Sequence, residues 1–132
     1  MRAVMAMLLC AAAQAQVALV HAGSDVAGMD AARVRDMLLG RVSTWSDGSP
    51  VTIVLVEGTA ADASLALIAG RDHARLLRGW KRLVYSGGGT MPMVVGSVRE
   101  AQDAVARRPG AIAVVEEAPE DVRLKRVRLD GG

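Results

Sequence analysis

The sequence predicts one α/β layered domain with a central, mostly parallel sheet flanked by helices, and three observations carry that expectation. Short apolar runs rich in Val, Ile and Leu alternate with stretches of helical periodicity, the arrangement of a sheet covered by helices on both faces. Glycine and proline punctuate the runs where turns and helix ends belong. The length of 132 residues supplies one core and leaves no room for two full domains.

The elements follow in order. Val17–His21 reads as a buried strand ending in the Ala22–Asp25 loop. Asp30 caps a helix over about Ala31–Leu39, with Val34, Met37 and Leu38 on one face and Gly40 at its C-terminal stop. Trp45–Pro50 is a turn, marked by Asp47–Gly48 and Ser49–Pro50, and Val51–Val56 is a β-branched strand. A helix over about Ala60–Ala69 places Leu65 and Ile68 inward and closes at Gly70; a second, over about Asp72–Leu83, carries Leu76, Leu77 and Trp80 on its buried stripe. Tyr85–Thr90 reads as a flexible loop, and Met91–Gly96 fits no single element. Ser97 and Glu100 form a capping box for a helix to about Arg107, stopped by Pro109–Gly110. Ala111–Val115 is a buried strand, and Val122–Leu129 alternates as a half-exposed terminal strand.

Composition narrows the function classes. Hydrophobic residues make up 52% of the chain but aromatic residues only 2%, with no Phe, so the core is aliphatic and surfaces for stacking bases or sugars are scarce. The net charge of +2 includes Arg2, and basic residues are interleaved with acids, as in Arg33–Arg35–Asp36; nucleic acid is not an expected partner.

Residues 1–15 combine Arg2, an apolar stretch from Ala3 to Ala13 and an A-x-A pattern at Ala13 and Ala15, which reads as a secretory signal peptide cleaved after Ala15. Gln14, Gln16 and His21 interrupt the apolar run short of the ~20 residues a span needs, so the mature chain, 16–132, is expected to be periplasmic without a membrane span. Cys10, the only cysteine, falls in this leader, either removed with it or, on a minor reading, lipidated.

Candidate chemical groups are few. His21 and His73 have no carboxylate or second His at metal spacing, so no metal or cofactor is expected. No G-x-S-x-G elbow presents a serine, so the chain is not read as an enzyme. Gly58–Thr59 before a helix reads as an ordinary cap or as an anion-receiving helix start. Ser86, Gly87 and Thr90, in a loop with three glycines, cradle an anion or simply turn the chain. Trp45 and Trp80 read as structural anchors. Glu116–Glu117 and Glu120–Asp121, beside Arg123, Lys125, Arg126 and Arg128, form a solvated edge or a docking strip for a protein.

The landmarks in order, "LLGRVSTWSDGSPV", Gly58–Thr59 opening a helix, Trp80, Tyr85–Ser86–Gly87, Pro92 and "RRPGAIAVV", resemble the phosphate ABC-transporter substrate-binding family over nearly all of the chain after the leader. The resemblance implies a three-layer lobe of the type 2 periplasmic-binding-protein kind, about half of the two-lobed family protein. It implies a small-oxyanion site at Gly58, Thr59, Ser86, Gly87 and Thr90, with the other half of the clamp supplied by another copy or another protein. Three positions depart from the family pattern: Asp62 stands where the anion-binding Arg is expected, Gly88 where some relatives carry a basic residue, and Val114 where a Tyr is common. An acid in place of that Arg opposes phosphate by on the order of 1 kcal/mol or more and removes a bidentate donor. The expectation is therefore an exported, single-lobe solute-binding-like protein with weak oxyanion affinity, or an interaction or regulatory module that kept the fold and lost the anion, its partner another protein or a second copy.

Overall fold

The structure, a computed structural model, describes residues 16–116 and 119–129, with residues 59 and 60 described by backbone only. The leader expected over 1–15, with Cys10, and Glu117 of the acidic cluster lie outside the described residues. The chain forms β1 (Val17–His21), α1 (Ala31–Leu38), β2 (Thr52–Val56), α2 (Thr59–Ala69), α3 (His73–Tyr85), β3 (Met93–Val95), α4 (Val98–Arg107), β4 (Ala111–Val115) and β5 (Leu124–Arg128).

The strands make one five-stranded sheet in the order β3-β2-β4-β1-β5. β2 pairs in parallel with β3, Val54 level with Met93, and with β4, Ile53 level with Ile112. β1 runs antiparallel to both β4 and β5, so it alone is reversed and the sheet is mostly parallel in direction.

Side-chain alternation divides the core into two halves. Ala18, Val20, Ile53, Leu55, Ile112 and Val114 face α1, α2 and α3, meeting Val34, Met37, Leu38, Leu65, Leu76 and Trp80. Val17, Leu19, Val54, Val56, Ala111, Ala113 and Val115 face α4, meeting Ala101 and Val105. With both faces covered, the strands need apolar residues at every position, which is why they read as continuous apolar runs. The result is the three-layer α/β lobe.

Local chemistry sets the element ends. Asp30, Asp72 and Ser97 accept from the amides of Arg33, Arg75 and Glu100, capping α1, α3 and α4. Gly70 takes the left-handed conformation, φ 74°, that ends α2. The unassigned stretch 91–96 contains β3, which the sequence obscures because only three residues pair. The terminal strand begins at Leu124 rather than Val122: Asp121 Oδ1 accepts from Arg123 N at 3.0 Å and Leu124 N donates to Asp121 O, which turns the chain there. Trp80 Nε1 donates to Leu38 O at 2.8 Å and Trp45 Nε1 to Gly110 O at 2.9 Å, so both indoles anchor the fold.

Candidate functional site

The winding of the chain places a topological switch point at one edge of the sheet, between β2 and β3. From β2 the chain leaves toward the α1–α3 face through α2; from the neighbouring β3 it leaves toward the opposite face through α4. Connections that diverge from adjacent parallel strands open a crevice beyond the strands' C-terminal ends, where α/β folds receive ligands. The starts of α2 and α4 border it, and Glu57 N donates to Val95 O across its floor.

The two helix starts differ chemically. The α4 start is closed: Ser97 Oγ accepts from Glu100 N at 3.1 Å and donates to Glu100 Oε1 at 3.3 Å, so the cap comes from the Ser97 hydroxyl. At the α2 start the N-cap is Gly58, φ 126°, and no side chain caps the helix. Its first-turn amides, at 59–61, are therefore available to an outside acceptor, at the positive end of the helix dipole. The sequence allowed Gly58–Thr59 as an ordinary cap; the N-cap being a glycine, no side-chain cap is made.

Asp62 stands in that first turn, where a negative charge competes with any anion. It is not alone. His73 at the start of α3 turns its ring toward it, Nδ1 3.5 Å from Asp62 Oδ1, and both of these atoms are buried without a hydrogen bond. The sequence reading left His73 without a neighbouring carboxylate, because α2 and α3 are joined by a tight turn that folds the two residues together only in three dimensions.

Ser86, Gly87 and Thr90 lie elsewhere. Gly58 follows the C-terminal end of β2, whereas Thr90 precedes the N-terminal end of β3, so the β2–β3 pairing lies between them along the strand direction. Ser86 Oγ donates to Leu83 O at 2.8 Å, and the amides of Gly87 and Gly88 donate to Val84 O and Leu83 O. This segment closes α3 as its C-terminal cap, and Gly87 is needed there for its φ of 86°. The five expected site residues thus separate into the α2 start and the α3 end.

A concavity of about 750 Å³ opens at the other end of the central strands, lined by His21, Ser24, Asp47 and Arg108 among others. Three of its polar side chains are engaged locally. His21 Nδ1 accepts from Gly23 N, Ser24 Oγ donates to Pro109 O, and Asp47 accepts from Ser49 N and Oγ, which holds its carboxyl below the usual carboxylate range. Among the described residues no cluster of three His, Cys, Asp or Glu could hold a metal, and no serine hydroxyl is hydrogen-bonded to a histidine. None of the described helices is long and apolar enough to cross a membrane.

No family model and no curated protein matches the chain. Solved structures do. A protein from Clostridium perfringens, described as a phosphate ABC transporter substrate-binding protein and solved with bound phosphate, superposes with a TM-score of 0.66 at 14% identity, over 89% of this chain and 45% of that one. An ABC-type phosphate transport receptor from Vibrio cholerae superposes with a TM-score of 0.65 at 12% identity, over 89% of this chain and 47% of that one. The chain thus spans about half the length of these structures, and what it shares with them is the fold of phosphate-transport binding proteins.

Proposed function

We propose that the protein is an exported, solute-binding-like lobe that holds a small oxyanion of the phosphate type weakly at the start of α2. The observation that supports this most is the uncapped α2 start at Gly58, which follows β2 at the switch point between β2 and β3, in a fold shared with phosphate-transport proteins. The backbone at Gly58–Thr59 supplies the donors, and no guanidinium faces the anion from position 62. His73 approaches Asp62 to 3.5 Å from the start of α3, which places an imidazole beside the one acid of this helix start. Ser86, Gly87 and Thr90, beyond the other end of the β2–β3 pairing, are not part of this site.

Thermal unfolding of the purified protein in phosphate, sulfate and chloride tests this reading. An anion at ten times its dissociation constant adds about 1.4 kcal/mol and raises the midpoint by several degrees. Asp62→Asn is expected to tighten binding by roughly fivefold, the effect of removing one partly solvated like charge. A midpoint unmoved by any oxyanion in either protein would end the proposal.

Asp62 supports a second reading, an interaction or regulatory module that kept the lobe and gave up the anion. A concentration-dependent dimer in sedimentation, with no anion response, is its expected signature.

A further inference from the structure

Away from the crevice, one surface concentrates charge that the fold does not use. Arg75, Arg78 and Arg82 stand at i, i+3 and i+7 on the outer face of α3, and Arg71 approaches the same face from the preceding turn. Together with Gly70 these four arginines make up the whole lining of a groove of about 410 Å³, in which no carboxylate takes part. Among the described residues none of the four forms an ion pair. Arg35 adds a fifth guanidinium at the rim, its Nη2 3.3 Å from where a Cβ on Gly70 would lie.

Folding gives no reason for this arrangement. Cations three and four residues apart on a helix repel, and Arg75 sits in the first turn, the positive end of the helix dipole, where no acid is present to balance it. Asp72, the nearest acid in sequence, is engaged as the N-cap, accepting from Arg75 N at 2.8 Å. Gly79 interrupts the helix interior, where glycine is a poor helix former, and an alanine there would come within 3.2 Å of Arg71 Nη1. That glycine leaves the space in which the Arg71 guanidinium lies.

We propose that this groove binds a condensed phosphate, a phosphoanhydride-linked chain such as a di- or triphosphate group, at a site separate from the α2 start. Four guanidinium groups around one concavity call for a ligand that packs several negative charges into a small volume. Linked phosphate tetrahedra do so and present the oxygen pairs that arginine grips bidentately. An extended acidic peptide carries one carboxylate per residue, with successive side chains on opposite sides, and brings fewer charges into a groove of this size. A bilayer surface is disfavoured because the exposed face of α3 carries Arg75, Arg78, Lys81, Arg82 and Tyr85 and no exposed aliphatic side chain larger than Ala74. The uncapped α2 start suits a single compact anion; this groove suits a chain of them.

Calorimetric titration of the purified protein at low salt tests the assignment, with tripolyphosphate, orthophosphate, hexaglutamate and phosphatidylglycerol vesicles as probes. Tripolyphosphate is expected to bind at least about tenfold tighter than orthophosphate, with affinity falling steeply as salt is raised. The double variant Arg75→Gln, Arg78→Gln is expected to lose roughly tenfold of that affinity and to keep its circular dichroism spectrum, since both side chains are exposed. Unaltered affinity in the double variant, no measurable tripolyphosphate binding, or tighter binding of hexaglutamate or vesicles would each overturn the proposal.

Discussion

Replacing Trp80 by Phe isolates one hydrogen bond that ties α3 to α1. The indole is buried, and its Nε1 donates at 2.8 Å to the carbonyl of Leu38, the last residue of α1. Carbonyls at a helix end have no partner within the helix, and the amides that follow α1 turn instead to Arg35, Asp36 and Met37. The indole is thus the acceptor's partner at this helix end. Phe leaves that carbonyl buried and unpaired, at about 1–3 kcal/mol, and the smaller ring adds about 1 kcal/mol of lost packing. At roughly 4 °C per kcal/mol for a domain of this size, the melting midpoint should fall by about 8–16 °C. Trp45→Phe serves as the internal control. It removes a similar bond, to Gly110 O at 2.9 Å, but that carbonyl also accepts from Thr52 N and stays satisfied. Its cost is therefore expected to stay near 1 kcal/mol plus the packing loss. Urea unfolding followed by far-ultraviolet circular dichroism compares the two without relying on tryptophan emission. If Trp80→Phe costs no more than Trp45→Phe, the reasoning from the unpaired carbonyl is wrong.

Three further outcomes are expected. Gly110→Ala sets a Cβ 2.5 Å from Pro50 O, backbone that cannot swing aside, and should cost about 1–3 kcal/mol in the same unfolding assay. Ser97→Ala removes the α4 cap and should cost about 1 kcal/mol, with faster hydrogen exchange at the first turn of that helix. Asp121 is held down to about 2 by its hydrogen bonds from the Arg123 side chain and backbone, so its carboxyl resonance should titrate with a midpoint there. Because the folded value lies below the unfolded one, the stabilisation from this contact is present above about pH 4 and disappears as pH falls toward 2. Arg123→Ala should return the midpoint toward the ordinary carboxylate range.

Most of the fold was legible because the local signals agreed with the long-range ones. Asp30, Asp72 and Ser97 each mark a helix start by a side chain that the following amides use, and Ile53, Val54 and Leu55 must all be apolar because both sheet faces are covered. β3 escaped because three paired residues between Pro92 and Gly96 leave no periodicity to read. The reversal of β1 could not be read either, since strand direction depends on which strands become neighbours and not on the composition of a single run.

The candidate site was legible in part. Gly58 before a helix signals an anion-receiving start locally, whereas the approach of His73 to Asp62 depends on how α2 and α3 fold against each other. The loop at Ser86–Thr90 reads in sequence as a cradle or as a plain turn because glycines serve both; the hydrogen bonds of Ser86, Gly87 and Gly88 to the last turn of α3 make it a helix cap. The arginine groove was not singled out from the sequence: Arg71, Arg75, Arg78 and Arg82 sit among interleaved charges, and Arg71 joins the other three only through the turn that precedes α3.

The most direct test of oxyanion binding at the start of α2 is a phosphate titration of the nitrogen-15-labelled protein, following each backbone amide at pH 6. The expected result is a saturable shift concentrated at residues 58–62 with a companion change at His73. Shifts absent from 58–62, or found there equally with chloride, would contradict the assignment.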